Sequence, residues 1–368
     1  MDRSDLNRLV TELHGDTLAA LDRALGRGTA ILFTCVSDGE RQLLDQYQRP
    51  VVTVDATLCP DRVSLRFKLL HAAVTNLLGA SPALALADSG PRGDAARLKV
   101  ADAYGEWTEH VMALIERSSP PVLGQFLLSM NDVLAGLDDD VAVAVFDAHR
   151  LDTDALWDLR ELERPLLLVT RPDHRAEMTG ADAPFYGNAQ TVRVNEPGPA
   201  EWMRALTAID FDVPPTDLEW LLDRSRGRVL PTIAALDLVT PERSPRSAWY
   251  RAVSMSLPRT HDILALTREI HAYAPALLVA IAESRKPYLA LPDAPSARIA
   301  RALNKMRSLD ILEQPEPRTW QIADPLIEHA LRSISDSDRV HQALSGPSDA
   351  SYSSTSDARL SEQVGTAK

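Results

Sequence analysis

Two uninterrupted apolar runs constrain the fold of this chain more than any other feature. They cover residues 141–146 and 165–170 and read VAVAVF and PLLLVT. Runs of this length suit strands that are buried on both faces of a parallel sheet. Helical spacing at 153–162 separates them, and further strand patterns lie at 30–35, 51–55 and 191–194. This alternation of strands and helices predicts an α/β domain with a mainly parallel sheet.

The remaining chain has a helical pattern in most segments. Residues 80–103, rich in Ala, Gly and Pro, are predicted to form a loop with frayed helix, and the pattern is helical alone from 199 to about 282. Residues from 333 onward are rich in Ser, Asp and Gly, which predicts a disordered tail. The other predicted helices lie at 1–28, 40–47, 61–79, 104–117 and 121–136.

Composition excludes several classes of function. The longest apolar runs, of about eight residues, fall far short of the ~20 that span a bilayer, and the polar N-terminal segment lacks the apolar region of a signal peptide. Cys35 and Cys59 make neither a disulfide framework nor a zinc site, so a cytoplasmic location is expected. The net charge of -13 disfavours non-specific nucleic-acid binding by the protein as a whole.

A degenerate phosphate-binding loop is predicted after the first strand. The P-loop pattern G-x-x-x-x-G-K-[ST] provides a Lys for the phosphate charge and a hydroxyl for Mg²⁺. In TCVSDGER, residues 34–41, the last Gly is present as Gly39, but Glu40 takes the Lys position and Arg41 takes the hydroxyl position. The predicted degenerate loop comprises Ser37, Asp38, Gly39, Glu40 and Arg41.

The order of motifs resembles AAA+ proteins, in particular archaeal-type ATPases of the STAND group with a C-terminal winged helix. VAVAVFDAHRL (141–151) resembles a Walker B strand, and RPLLLVTR (164–171) resembles the strand that carries sensor 1. APFYGNAQTVRV (183–194) is similar to the PLYGR-type box, and EWLLDRSRGRVLPTIAALDL (219–238) resembles the helical lid. TWQIADPLIEHALR (319–332) resembles the strand and helix that close a winged helix. Origin-recognition AAA+ proteins, which share the winged helix, are the second-ranked resemblance.

This resemblance implies a domain organisation. A P-loop NTPase-like (AAA+) α/β core with a parallel sheet is expected over 1–198, and a helical lid over 199–276. A C-terminal winged-helix domain is expected over 277–332, followed by the disordered tail at 333–368.

The departures from the family pattern concentrate where nucleotide would bind. One alignment places Phe146 at the Mg²⁺-coordinating Asp and Asp147 at the catalytic Glu, while a shift by one residue keeps the Asp and loses the Glu. Thr170 ends the sensor 1 strand, and Asn188 replaces the Arg of the PLYGR box. The lid Arg is absent or displaced to Arg226 or Arg228. The sequence therefore predicts no catalytic residue, no metal and no cofactor.

Three further candidates have structural interpretations. His149 is expected to cap the strand end and to pack on the following helix, and Cys35 is expected to be a small core residue. The acidic run at 138–140 is expected to be an exposed loop before a buried strand.

A basic helix is the strongest positive signal. Residues 285–332 carry eight basic and six acidic side chains, so the module is +2 and the rest of the chain is -15. On helix 295–309, Arg298, Arg301 and Lys305 cluster within about 60° beside the apolar face. Such a face suits DNA recognition, and the resemblance implies that Arg318 lies in the wing. It also suits protein contacts, and the sequence leaves both open.

Two functions from different classes follow. The first is a catalytically degenerate AAA+/STAND-like scaffold, DNA-associated or regulatory, that acts through its winged helix. It is compatible with an inactive subunit beside an active ATPase. The alternative is a divergent active ATPase, a nucleotide-driven switch on DNA, which alone would require ATP and Mg²⁺.

Overall fold

The computed structural model describes residues 3–34, 43–44, 47, 50–59, 61–194 and 196–334. Cys35 and the predicted loop at 37–41 lie outside these residues, as do most of the helix expected at 40–47 and the tail from 335 onward. The chain forms two compact units, which divide between Trp249 and Tyr250. Each unit is described by itself.

A five-stranded parallel sheet forms the centre of the first unit, as predicted. The spatial order is β2–β3–β4–β1–β5, and every neighbouring pair is parallel. Phe33 pairs with Thr170, and Asp55 pairs with Phe146, so the carboxyl ends of the strands meet at one edge. The strands are β1 (Thr29–Phe33), β2 (Val51–Asp55), β3 (Ala142–Phe146), β4 (Leu166–Thr170) and β5 (Ala189–Arg193).

The two central runs are strands because both of their faces are covered. Every residue of β3 and β4 is buried. Val143 and Leu168 pack into an apolar cluster on one face of the sheet, whereas Ala144 and Leu167 pack into a second cluster on the other. Alternate side chains of a strand point to opposite faces, so a continuous apolar run supplies both clusters.

Helices surround the sheet and continue after it. Asp61 caps one of them, since its Oδ1 accepts hydrogen bonds from Val63 N and Ser64 N, and left-handed Gly79 ends that helix. After β5 the unit is helical, as predicted, apart from a bridge between Thr240 and Arg243. The helices are α1 (Arg3–Leu25), α2 (Arg62–Leu78), α3 (Pro82–Ala87), α4 (Pro91–Tyr104), α5 (Thr108–Ile115), α6 (Met130–Val133), α7 (Thr153–Arg160), α8 (Arg175–Thr179), α9 (Pro199–Ala208), α10 (Pro215–Ser225), α11 (Val229–Leu236) and α12 (Pro245–Met255).

Two segments differ from the prediction. Residues 80–103 form α3 and α4 rather than a loop, because Pro82 and Pro91 occupy first-turn positions where proline favours a helix start. The prediction of a helix at 121–136 is wrong over most of its length. Only a short 3₁₀ turn and α6 are helical there, and the chain between them buries Phe126 and Leu128 on alternate positions.

The second unit is a small helical module with a hairpin. Its strands are antiparallel, and its core includes Leu277, Leu303, Met306 and Leu331. Leu264 belongs to the same core, so the compact unit begins before residue 277. The predicted tail began at 333, but the last helix ends at Ser333, and Ile334 packs against the core. The elements are α13 (Leu257–Ile270), α14 (Ala274–Ala282), α15 (Pro287–Ala290), α16 (Ser296–Arg307), β6 (Leu312–Glu316), β7 (Thr319–Ile322) and α17 (Pro325–Ser333).

Among the described residues, none of the helices combines the length and the apolar character that crossing a membrane requires.

Candidate nucleotide-binding edge and basic face

Polar side chains gather where three neighbouring strands end. Thr34 follows β1, Asp147 follows β3 and Arg171 follows β4. These strands are neighbours in the sheet and run in the same direction, so the three residues share its carboxyl edge. Ligands of open α/β sheets bind outside this edge, which makes it the candidate nucleotide site.

An internal ion pair occupies this edge. Arg171 Nη2 lies 2.8 Å from Asp147 Oδ1, and the two side chains are only 9% and 15% exposed. Arg171 Nη1 also donates a hydrogen bond to the carbonyl oxygen of Thr34 at 3.5 Å. The guanidinium therefore ties the end of β1 to the end of β3, and it compensates the charge of the carboxylate.

The second oxygen of the same carboxylate is also engaged. Thr57 Oγ1 donates a hydrogen bond to Asp147 Oδ2 at 3.3 Å. The backbone of Asp147 is left-handed, with φ 52° and ψ 37°, a conformation that costs energy for a residue other than Gly. The Asp147 carboxylate is thus held by Arg171 at one oxygen and by Thr57 at the other.

These described residues do not fit Mg²⁺. Magnesium takes oxygen ligands in a strict octahedron and is bound through carboxylates. An ion at Asp147 would have to share the carboxylate with a guanidinium at 2.8 Å, and the two cations repel one another. The arrangement supports structural neutralisation of Asp147 in place of metal coordination.

Two histidines stack beside the ion pair. His149 and His174 lie in the 3₁₀ turns that follow β3 and β4, with ring centroids 4.4 Å apart and planes inclined by 25°. His174 Nδ1 lies 2.5 Å from Glu177 Oε2. Burial lowers the pKa of His174, and the hydrogen bond to Glu177 opposes this shift. Sequence reasoning expected His149 to pack on the next helix; its stacking partner is His174.

The other residues of the predicted nucleotide site have separate locations. Phe146 is buried in the apolar cluster shared with Leu167. Thr170 is fully buried, and its Oγ1 has no hydrogen-bond partner among the residues that the structure describes. Asn188 precedes β5, so it lies at the amino-terminal edge of the sheet and not with Asp147. The predicted loop itself lies outside the described residues.

The two candidate lid arginines lie at the turn between α10 and α11. Arg226 ends α10 with a left-handed backbone, φ 55°. Arg228 is buried, and its Nη1 lies 3.4 Å from Glu196 Oε1. Arg228 is therefore engaged with a carboxylate of its own unit.

The basic face of the second unit comprises Arg298, Arg301 and Lys305 of α16. All three side chains are exposed, and none forms an ion pair within the described part of the chain. On the adjoining side of the helix, Ile299 and Leu303 are buried. The amphipathic pattern thus leaves this face available to a partner.

Arg318 lies at the tip of the hairpin. The turn joins Glu316 to Thr319, with Pro317 followed by Arg318 at φ 69°. Proline at the second turn position and positive φ at the third are features of a type II turn. The side chain of Arg318 is exposed.

Sequence reasoning missed Arg171, Thr57 and His174. Thr170 was predicted and Arg171 was not, because the resemblance to the sensor 1 strand was assigned to the end of the strand and not to the residue after it. A signal was available, because Arg171 is a basic residue that directly follows a buried strand. Asp147 follows another buried strand at the same edge of the sheet.

Comparisons with known proteins identify the fold. No protein-family model matches the sequence, and no curated protein gives a significant match. The chain is similar to a Walker-type ATPase of Pyrococcus abyssi, with a TM-score of 0.56 and 17% identity over 87% of this chain and 95% of that one. The ORC1 protein of Aeropyrum pernix in complex with DNA matches with a TM-score of 0.46 and 11% identity, over 89% and 94%. The predicted P-loop NTPase-like (AAA+) α/β fold is confirmed.

Proposed function

We propose that the protein is a catalytically degenerate AAA+/STAND-like scaffold that acts on DNA or on a regulatory partner through its C-terminal module. We assign this module as a winged helix and the whole chain as a non-hydrolysing subunit of a larger assembly. The observation that carries the proposal is the unpaired basic face of α16 on a chain whose net charge is -13.

Support for catalytic degeneracy comes from two places. In the sequence, Glu40 takes the position of the phosphate-binding Lys and would bring a carboxylate against a triphosphate. In the structure, both oxygens of Asp147 are engaged, one by Arg171 and one by Thr57. The alternative, a divergent active ATPase, would have to break this ion pair to bind Mg²⁺.

Support for DNA as the partner comes from geometry and charge. A recognition helix packs one face on the core and turns a basic face toward phosphates and base edges. Helix α16 has this division, and Arg318 at the hairpin tip adds a fourth exposed cation. DNA is therefore the first partner to test, and an acidic protein surface is the second.

The test is the salt dependence of binding to a short DNA duplex by the full chain. Replacing Arg298, Arg301 and Lys305 with Ala should weaken binding and flatten the plot of log K against log salt, by roughly one unit for each lost phosphate contact. The fold should persist, because these side chains lie away from the buried face.

A matched control removes the same charge elsewhere. Arg92, Lys99 and Arg117 are exposed in the first unit, and their replacement with Ala should leave DNA affinity nearly unchanged. Absence of wild-type binding at low salt would refute DNA as the partner. Equal losses in both triple variants would show that only net charge matters and would refute the role of α16.

A further inference from the structure

Arg160 is an exposed arginine of the first unit whose guanidinium is held in place by neighbouring side chains. Arg160 ends α7, and its guanidinium carbon lies 4.8 Å from the ring centroid of Trp157, one turn earlier. The Trp157 side chain is 40% exposed, an uncommon position for a large aromatic group. A cation above an aromatic face is attracted by the ring, so Trp157 limits the freedom of the guanidinium.

Asn188 holds the same guanidinium from another element. With its amide oxygen oriented toward Arg160, Asn188 Oδ1 accepts hydrogen bonds from Nε at 2.9 Å and from Nη2. No carboxylate pairs with Arg160 in the described part of the chain. An arginine has five donors, so the donors that Asn188 does not use remain available to a ligand.

An exposed tyrosine lies in the turn that positions Asn188. The backbone N–H of Asn188 donates a hydrogen bond to the backbone carbonyl of Phe185 at 3.2 Å. Gly187 supplies the positive φ of 70° that the turn requires. Phe185 is buried in the core and anchors the turn, whereas Tyr186 is 60% exposed. The turn therefore presents an aromatic ring on a rigid support.

This surface is separate from the candidate nucleotide site. Asn188 directly precedes β5, whose first residue pairs with the first residue of β1. Asp147 follows the last residue of β3, at the opposite edge of the sheet. Arg160 cannot therefore take part in the ion pair at the carboxyl edge.

We infer that Trp157, Arg160, Tyr186 and Asn188, together the Arg160 surface, form a docking site for a protein segment that presents a carboxylate flanked by basic residues. Trp, Tyr and Arg are the residues that dominate binding energy at protein interfaces. The rigid fork of an arginine matches a carboxylate with two parallel hydrogen bonds.

The charges around the Arg160 surface select the flanks of the partner. Glu161 and Glu163 are exposed directly after Arg160. They would repel a polyphosphate backbone and attract basic side chains on either side of the bound carboxylate. A protein segment of mixed charge provides both an anion for Arg160 and cations for the two glutamates, whereas a nucleic acid provides only the anion.

The probe is a panel of short fluorescent peptides, each with one central Glu flanked by Lys and apolar residues, titrated with the full chain by anisotropy. At least one peptide should bind, and the Arg160→Ala and Tyr186→Ala variants should each weaken that binding about tenfold or more. Replacing the peptide Glu by Gln should weaken it similarly. Arg92→Ala, at an exposed arginine elsewhere on the same unit, should leave it unchanged.

Three outcomes would overturn the inference. They are the absence of binding across the panel, equal binding by wild type and Arg160→Ala, and binding of a DNA oligonucleotide that depends on Arg160. Unchanged thermal midpoints of the variants exclude unfolding as the cause of a loss. The inference does not involve the basic face of α16, so its failure and that of the proposed function are distinguishable.

Discussion

The guanidinium of Arg171 lies 2.8 Å from the carboxylate of Asp147, at the carboxyl edge of the sheet, where ligands of open α/β sheets bind. Each residue directly follows a buried strand, so the sheet itself brings them together. A cation supplied by the chain therefore compensates the charge of the Asp147 carboxylate. The first prediction concerns the strength of this pair.

Arg171→Ala should lower the free energy of unfolding by about 3 kcal/mol, because it leaves a mostly buried carboxylate without compensation. In an Asp147→Asn background the same change should cost less, and Asn tolerates the left-handed backbone of this position. Urea denaturation of the four proteins gives the coupling energy.

The control for this cycle is an exposed pair. The side chains of Arg97 and Asp94 are 42% and 73% exposed and lie 3.4 Å apart, so Asp94→Ala should cost less than about 1 kcal/mol. A coupling energy near zero between Arg171 and Asp147 would contradict a stabilising ion pair.

The second prediction is a loss of stability on acidification that depends on His174. Burial lowers its folded pKa below the ordinary histidine value of 6.5. The unfolded chain therefore binds a proton at His174 more readily than the folded chain does. The free energy of unfolding should fall as pH decreases through about 6.5 toward the folded pKa. Glu177 and Asp173 favour the charged ring, and His149 opposes it.

His174→Gln should reduce this slope, measured as the urea midpoint between pH 8 and pH 5. Some slope should remain, because burial also lowers the pKa of His71. Replacement of the exposed His261 by Gln is the control. An unchanged slope in His174→Gln would refute its role.

The sheet was predictable from the sequence because its signal is local. Strands β3 and β4 are apolar at every position, and only burial on both faces explains such runs. The segment at 80–103 was misjudged because its small residues resemble a loop. Gly93 lies so close to Asp88 that an added Cβ would be 1.8 Å from the Asp88 carbonyl oxygen. That packing requirement cannot be read from composition.

The site was less predictable than the fold. The sequence predicted an exposed basic face for Arg298, Arg301 and Lys305, since helical period alone separates them from the buried face. It did not predict that Arg171 pairs with Asp147, because the two are 24 residues apart and meet only through the strand order.

The third prediction is that residues 335–368 are dispensable for folding. Their composition provides too little apolar surface to offset the entropy lost on ordering. A chain that ends at Ile334 keeps the packing of that side chain, so its thermal midpoint should stay within about 2 °C of the full chain, which is roughly the shift that 1 kcal/mol produces in a domain of about 150–250 residues.

A truncation that removes four more residues provides the comparison. Ending the chain at Ala330 also removes Leu331, which is fully buried. Loss of a buried leucine costs about 2–5 kcal/mol, so this truncation should lower the midpoint by several degrees. A similar loss on removing residues 335–368 alone would show that the tail docks on the body.

The most direct measurement for the central claim, a degenerate nucleotide site, is calorimetric titration of the full chain with Mg-ATP. Glu40 at the Lys position and the Arg171–Asp147 pair both oppose binding of the triphosphate and its metal. The account predicts no binding heat at millimolar Mg-ATP and no release of phosphate. A micromolar dissociation constant together with measurable turnover would contradict it and would establish the protein as a divergent active ATPase.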